Sequence, residues 1–200
     1  MPQLLRTNYN VTAIGQPSLT GDVITLENDG DMPEWTKIKL PEGTMGNTGY
    51  KSPTATGDDY SGWDNPTNAY ISNDTDAEAG NNQDQDYYNF DFTIPEGRTI
   101  TGIRVSIEGS GGFETGTGWD FQIKLSWDGG ASTTSAKSDT FNNLYDEGDT
   151  IKTLGDAEDT WGRTWSIDEL SNTNFRVQVF GDGFEEGLID HIQAKIYYTV

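Results

Sequence analysis

The segment DTDAEAGNNQDQD, residues 74–86, carries five acidic residues in thirteen positions and no basic residue. Carboxylate oxygens are the ligands that calcium prefers, and the EF-hand loop places them at positions 1, 3 and 5. That loop also needs glycine at position 6 and a bidentate glutamate at position 12. Counting from Asp74, Gly80 falls at position 7 and Gln85 occupies position 12. The segment is therefore not an EF-hand loop.

An irregular calcium site remains open, because calcium accepts varied cages of oxygen ligands. Its candidate ligands are Asp74, Asp76, Asp84 and Asp86. The same Asp-rich texture recurs in GDD, YDEGD and GDAED elsewhere in the chain, so the segment does not differ from its background. The sequence therefore favours a solvated acidic loop, and we expect no metal ion or other cofactor as a required component.

The residue types and motifs of the sequence give little indication of a catalytic site. Glycoside hydrolysis needs two carboxylates at a defined separation, but with 33 acidic residues some pair meets that condition by chance. His191 is the only histidine and cysteine is absent, so a zinc site lacks its usual ligands. Composition leaves a Ser-His-Asp triad open, but no G-x-S-x-G motif supports one. We predict no catalytic residues and no enzyme activity; His191, next to Asp190, is expected to make a structural hydrogen bond.

Six tryptophans raise the alternative of carbohydrate binding, because exposed aromatic rings stack on sugars. Trp161 and Trp165 flank a glycine and are expected to pack at the edge of the fold. Trp35, Trp63 and Trp119 are less determined, and each is a candidate for a sugar site or an interface. Burial in the core or in a subunit contact is the expected fate of most of them.

The charge balance is strongly acidic: 33 acidic residues, 21 of them Asp, face 12 basic residues, of which seven are Lys. A net charge of −21 repels nucleic acid and anionic membranes, so neither is an expected partner. Self-repulsion of this size destabilises a compact fold in dilute buffer. At about 1 M salt the Debye length is about 3 Å, and exposed like charges no longer interact. The composition therefore predicts a salt-adapted protein, and its many aromatic residues argue against disorder.

The length of 200 residues predicts one domain, or one domain with an arm. Without cysteine there is no disulfide bond and no thiolate chemistry. No run approaches the roughly 18 apolar residues of a membrane-spanning helix. The first residues, MPQLLRTNYN, lack a basic region followed by an apolar one, so no secretory signal is expected.

Alternating apolar and polar residues predict β-strands throughout the second half of the chain. One buried and one solvated face per strand is typical of antiparallel sheets, and the Gly-rich connections favour a β-sandwich or barrel. The residues predicted to face the core are Tyr88, Phe90, Phe92, Ile94, Ile103, Val105, Ile107, Trp119, Phe121, Ile123, Leu125, Trp127, Phe175, Val177, Val179, Ile192, Ala194, Ile196 and Tyr198.

Residues 1–48 differ from the rest of the chain in their sequence pattern. Three short strands are predicted around 8–14, 22–27 and 35–40, between turn-rich stretches. This segment is an extra sheet or an arm that docks on a neighbouring subunit. We predict an arm over residues 1–48 and a sandwich over residues 49–200.

Four segments carry a resemblance to a known module: SPTATGDDYSGWDNPTNAYISND, IPEGRTITGIRVSIEG, DTWGRTWSIDELSNTNFRVQV and DHIQAKIYYT. Their most specific parts are Trp-Gly-x-x-Trp, the following Ser-Asn-x-x-Phe, and Asp-His-Ile with Tyr-Tyr. From about Tyr50 to Tyr198, about three quarters of the chain, the sequence resembles a jelly-roll β-sandwich module of tailed-virus proteins and large prokaryotic surface proteins. The resemblance implies a non-catalytic building block on a virion or cell surface, without implying one ligand.

Charge and resemblance together predict a virion structural protein of a tailed virus with a halophilic, archaeal host. It is expected to be a capsid decoration or turret protein, assembled in the host cytoplasm and then exposed to the high-salt medium. The expected partners are the major capsid protein or other virion proteins, with residues 1–48 as the anchor and a trimer or pentamer as the homo-oligomer. The alternative is a carbohydrate- or receptor-binding module on a virus tail or cell surface.

Overall fold

The computed structural model divides the chain into two units, Met1–Thr44 together with Val200, and Met45–Thr199. The predicted boundary after residue 48 lies four residues beyond this division, because Met45–Asn47 form a strand of the second unit. The residues described by the structure are 18–20, 23–25, 38–39, 45–57, 63–79, 82–111, 118–142, 147–182 and 187–200.

Fourteen strands are described. They are β1 (Ser18–Thr20), β2 (Val23–Thr25), β3 (Ile38–Lys39), β4 (Met45–Asn47), β5 (Ala55–Thr56), β6 (Trp63–Asp64), β7 (Ala77–Ala79), β8 (Asp84–Tyr88), β9 (Ile100–Gly111), β10 (Trp119–Ser126), β11 (Lys137–Phe141), β12 (Thr150–Leu154), β13 (Arg176–Asp182) and β14 (Gly187–Thr199).

Two short 3-10 segments have described bounds, Pro66–Ala69 and Asp168–Leu170. Neither approaches the length and apolarity that a membrane-crossing helix requires, and no other helix of the described part does so. The second segment follows a Ser166–Glu169 capping pair, in which the Ser166 N–H donates to Glu169 Oε2 and the Glu169 N–H donates to Ser166 Oγ.

The first unit contains a three-stranded antiparallel sheet in the order β1-β2-β3. The strands predicted around 22–27 and 35–40 contain β2 and β3. The strand predicted around 8–14 lies outside the described residues, and β1 was not predicted.

The second unit is a sandwich of two antiparallel sheets. One has the strand order β11-β10-β13-β8-β5, and the other has the order β12-β9-β14-β7-β6 with β4 paired to β14. Strands β7 to β10 alternate between the two sheets, as do β11 to β14, and this connectivity is that of a jelly roll. The predicted fold class, an all-β antiparallel jelly-roll sandwich, is confirmed.

The core lies between the sheets and forms because apolar residues recur at every second position of the long strands. Trp119, Phe121 and Phe141 stack on one another in this core. Fourteen of the residues predicted to face the core are buried, namely Phe90, Ile103, Val105, Ile107, Trp119, Phe121, Ile123, Leu125, Phe175, Val177, Val179, Ile192, Ala194 and Ile196.

The strand predicted over residues 87–94 was wrong in its phase and its length. Strand β8 ends at Tyr88, and Tyr87 rather than Tyr88 is fully buried. Asn89 and Asp91 adopt left-handed conformations, with φ of 64° and 55°, which break the strand. Phe90 therefore reaches the core from a loop, where it packs against Phe175.

The Trp-Gly-x-x-Trp motif belongs to the fold, as predicted, but its two tryptophans are part of the core rather than of the edge. Trp161 and Trp165 are both buried. The indole N–H of Trp161 donates to the Ile103 carbonyl at 2.9 Å, and that of Trp165 donates to the Thr160 carbonyl at 2.8 Å. Trp161 lies at a φ of 57°, a conformation that is rare for a bulky residue, and the indole hydrogen bond helps to hold it.

A bulge interrupts the pairing of β14 with β9. Ile189 pairs with Gly109 and His191 pairs with Glu108, so Asp190 is an extra residue without a partner on β9. Gly109 is required here, because a Cβ at this position would lie 2.1 Å from the Leu188 carbonyl oxygen. Bulges change the direction of the side chains that they carry, and this one sets the position of Asp190.

Candidate functional site

The outer face of the six-stranded sheet carries most of its charged side chains along β9 and β14. In the register of the two strands, His191 pairs with Glu108 at one end and Lys195 pairs with Arg104 at the other. His191 and Lys195 are four positions apart on β14, so the two ends lie about 13 Å from each other. The face is therefore acidic at one end and basic at the other.

The acidic end is built around Asp190. Its carboxylate is buried and accepts hydrogen bonds from the main-chain N–H of Asn73, at 3.0 and 3.1 Å, and of Thr75, at 3.2 Å. These bonds hold the turn in which Asp74 adopts a φ of 58°. As a result, Asp74, Asp149 and Asp190 each place one carboxylate oxygen within 4.8 Å of the other two.

We call Asp74, Asp76, Asp149 and Asp190 the acidic cluster. Burial, followed by repulsion from Asp76, Asp190, Glu108 and Asp74, raises the pKa of Asp149 to about 6. Burial and the same kind of repulsion raise the pKa of Asp76, whose Oδ1 has no hydrogen-bond partner among the described residues. A bound proton or cation would reduce the repulsion among these carboxylates. Their oxygens are ligands of the type that calcium takes.

The predicted calcium ligands are divided between two places. Asp74 and Asp76 belong to the acidic cluster, whereas Asp84 and Asp86 lie on β8 of the other sheet. The sequence argument missed Asp149 and Asp190, which come from distant parts of the chain. The Asp-His pair at the start of the last strand was the one available signal, and it was used only for a structural role.

His191 makes the structural hydrogen bond that was predicted for it. Its Nε2 lies 2.8 Å from Ser52 Oγ, and its Nδ1 lies 4.0 Å from a Glu108 carboxylate oxygen. The second distance is too long for a hydrogen bond, so Glu108 does not make the contact that the acid of a Ser-His-acid triad makes with its histidine. Burial lowers the pKa of His191, although Glu108 and Asp190 oppose this shift.

The basic end contains two tyrosines and two cations, and we call Tyr50, Arg104, Lys195 and Tyr197 the tyrosine patch. Tyr50 is 37% exposed, one of few large apolar side chains in the described residues with such exposure. Lys195 Nζ lies 3.9 Å from the centre of the Tyr50 ring and 5.7 Å from that of Tyr197. The Arg104 guanidinium lies 5.8 Å from the Tyr197 ring centre, and its Nε donates to the Gly155 carbonyl at 3.3 Å. The cations are thus held beside the rings.

Arg104 and Lys195, like Lys51 and Lys124, are cations of the sandwich without a carboxylate partner within 4 Å in the described residues. Asp156 acts on Arg104 at longer range. A hydrogen bond with Tyr50 raises the pKa of Arg104, which stays charged. Four other cations are paired with carboxylates, in the pairs Lys137–Asp159, Lys152–Asp139, Arg163–Glu169 and Arg176–Asp86.

The outer face of the five-stranded sheet carries a polar group of another kind. Asp86 is buried, and Arg176 Nη1 lies 3.4 Å from its Oδ2 while the guanidinium stacks on Tyr88 at 4.4 Å. The turn at Gly130 covers the pair, because a Cβ there would lie 3.1 Å from Asp86 Oδ2. Burial raises the pKa of Asp86, although Arg176 and Gln178 oppose it. This group is a buried ion pair in which Asp86 Oδ1 and Arg176 Nε have no hydrogen-bond partner among the described residues.

The tryptophans singled out as sugar platforms do not have the required exposure. Trp63 and Trp119 are 6% and 1% exposed, because their strands direct them into the core. Trp35 lies outside the described residues. Among the described residues, Tyr50 is the aromatic side chain that is exposed, and the nearby Tyr197 is half-buried. Sequence reasoning missed Tyr50 because it lies on no alternating strand.

No family model and no curated protein matches the chain. Among solved structures it is similar to the family 32 carbohydrate-binding module of AlyQ in complex with 4,5-unsaturated mannuronic acid. The identity is 14%, the TM-score is 0.42, and the match covers 72% of this chain and 96% of that one. A family 16 carbohydrate-binding module matches at 11% identity and a TM-score of 0.35, over 63% of this chain and 79% of that one.

A third similar structure is TmCBM61 in complex with beta-1,4-galactotriose, at 13% identity and a TM-score of 0.35. This match covers 76% of the present chain and 86% of the other. At these identities and TM-scores the likeness is to the general sandwich architecture, and it assigns no ligand to this chain.

Proposed function

We propose that the sandwich is a non-catalytic glycan-binding module and that the tyrosine patch is its binding site. The observation that carries the proposal is the exposed Tyr50 ring and the Tyr197 ring on either side of Lys195 Nζ, with Arg104 fixed next to Tyr197. This is the function that the sequence left open as an alternative, placed on residues that the sequence did not single out.

The patch combines the two kinds of contact that a sugar needs. The apolar faces of a pyranose ring pack on aromatic rings, and its hydroxyl groups take hydrogen bonds from charged donors. Lys195 and Arg104 supply such donors, and both are half-buried, which limits the side-chain entropy lost on binding. An open sheet face with two rings makes few contacts, so we expect a Kd on the order of 0.1–1 mM.

Replacing Tyr50 or Tyr197 with alanine is expected to weaken glycan binding at least about tenfold, because each change removes a stacking surface. Binding of the full chain to a panel of oligosaccharides, measured by nuclear magnetic resonance titration, tests this. Ile71→Ala is the matched control, since Ile71 is also exposed but lies outside the patch. Equal binding by all four proteins, or binding by none, would contradict the proposal.

A second candidate is the virion structural protein that charge and resemblance predict. The observation in its favour is that Met1–Thr44 forms a unit of its own, with its own antiparallel sheet, as an anchor requires. In this proposal the first unit attaches to the major capsid protein or another virion protein, and the sandwich carries the tyrosine patch on the particle.

A variant that lacks residues 1–44 is expected to keep the sandwich fold but to be lost from virus particles. Purified particles are incubated with the variant or the full chain, and the bound protein is quantified. Circular dichroism of the variant establishes that the sandwich is folded. Recovery of the folded variant on particles at the level of the full chain would refute the role of this unit as an anchor.

A further inference from the structure

The tyrosine patch is the positively charged end of a sheet face on a very acidic protein, and its charge indicates the class of ligand that it binds. The chain has 33 acidic and 12 basic residues, so a cation on its surface has many carboxylates available as partners. Four cations of the sandwich have such partners, whereas Arg104 and Lys195, like Lys51 and Lys124, form no ion pair with a carboxylate in the described part of the chain; Arg104 and Lys195 are in addition directly opposite each other. The positive charge of the patch is therefore available to an anionic ligand.

The two cations also face each other. Lys195 pairs directly with Arg104 in the register of β14 and β9, and both side chains project from the outer face. Like charges directly opposite each other on antiparallel strands destabilise the sheet. The contacts of the two cations with the tyrosine rings offset only part of this repulsion. An anionic group bound between the cations would remove it. The arrangement is unfavourable without a ligand and favourable with an anionic one.

The donors of the patch suit a carboxylate or a sulfate. The Arg104 Nε is engaged by the Gly155 carbonyl and the guanidinium also donates to Tyr50, which together fix its plane and leave the remaining N–H groups for a ligand. A fixed guanidinium recognises planar or tetrahedral anions through two parallel hydrogen bonds, and Lys195 adds a point charge. Tyr50 and Tyr197 lie alongside, where the ring that bears the anionic group would pack.

From these observations we infer that the ligand of the tyrosine patch is an anionic glycan, one that bears uronate or sulfate groups. The inference rests on the proposed function, since it names the ligand class of the same site. Binding depends on both halves of the patch: the tyrosines contact the sugar ring, and the cations contact its charged group. At about 1 M salt the charge contribution is screened and the stacking contribution remains.

The test compares ligands that differ only in charge. Oligogalacturonate is paired with its methyl ester, an alginate oligosaccharide with its ester, and a sulfated galactan oligosaccharide with its desulfated form. At least one charged form is expected to bind at least about tenfold more tightly than its neutral partner in dilute salt. This preference is expected to shrink as the salt concentration rises.

The double variant Arg104→Gln, Lys195→Gln is expected to lose the preference for the charged form and to keep weak binding of the neutral one. The control is Lys124→Gln, Lys152→Gln, which changes the net charge by the same amount away from the patch. A tenfold preference that survives in the first variant, or disappears in the control, would overturn the inference. Thermal unfolding of both variants verifies that the sandwich is intact.

The remaining outcomes separate the inference from the proposed function. Equal binding of charged and neutral forms, with a loss in Tyr50→Ala, overturns the anionic ligand and keeps glycan binding. Binding of no member of the panel overturns both. If the Arg104 and Lys195 variant instead changes the oligomeric state in analytical ultracentrifugation, the patch contacts the acidic surface of a second copy, and the inference is wrong.

Discussion

Replacing Asp190 with alanine is expected to lower the free energy of unfolding of the sandwich by about 3 kcal/mol. Its buried carboxylate accepts hydrogen bonds from the main-chain N–H groups of Asn73 and Thr75. Hydrogen bonds to charged groups contribute about 1.5–3 kcal/mol each, and alanine leaves both N–H groups without this partner. Relief of the repulsion with Asp74 and Asp149 offsets part of the loss. Urea unfolding followed by tryptophan fluorescence, with a chelator present, measures the change.

The matched control is Asp149→Asn, which removes a charge from the same acidic cluster without removing an anchor. The pKa of Asp149 is raised to about 6 in the folded protein, above its ordinary value of 3.8. Stability from this group is therefore fully present below about pH 4 and is lost as the pH rises through about 6. Asp149→Asn is expected to flatten that part of the profile and to stabilise the protein at pH 7. If both variants shifted stability in the same direction, the distinction between anchor and repulsion would be wrong.

Dilution from about 1 M to about 10 mM sodium chloride is expected to lower the melting temperature of the protein by roughly ten degrees or more. The Debye length grows from about 3 Å to about 30 Å over this range, so repulsion among the carboxylates reaches across the molecule. In the described residues four carboxylates are neutralised by Lys or Arg within 4 Å, of a total of 33 acidic residues in the chain. Scanning calorimetry at a series of salt concentrations measures the effect.

A charge-reduced variant separates repulsion from other effects of salt. Glu96, Glu158 and Asp168 are exposed, and Glu96→Gln, Glu158→Gln, Asp168→Asn removes three charges without burying any group. The melting temperature of this variant is expected to fall less on dilution than that of the original chain. A melting temperature of the original chain that does not change with salt would contradict the adaptation to brine.

The sandwich was predictable from sequence where one strand face is buried and the other is solvated. Ile103, Val105 and Ile107 on β9 alternate with Arg104 and Glu108, and burial follows this alternation because the period of a strand is two. The prediction failed over residues 87–94, where apolar residues alternate equally well. There the left-handed Asn89 and Asp91 decide the path of the chain, and Asn and Asp adopt that conformation without a pattern that marks it.

The candidate sites were less predictable, because their residues are brought together by pairing between distant strands. Asp74 was singled out by its acidic neighbours, but Asp149 and Asp190 reach it through the sheet. Arg104 and Lys195 lie 91 positions apart and meet only in the register of β9 with β14. In sequence each of them is an ordinary polar residue on the solvated face of a strand. Local spacing carries no information about such pairs.

The extra residue at Asp190 makes the length of β14 as important as its composition. Residues on either side of it pair with β9 in registers that differ by one position. Deleting one residue there would restore regular pairing, yet it would slide one half of the strand past the other and separate Asp190 from the 73–75 turn. A gap of one residue in the last strand would therefore dismantle one end of the charged face.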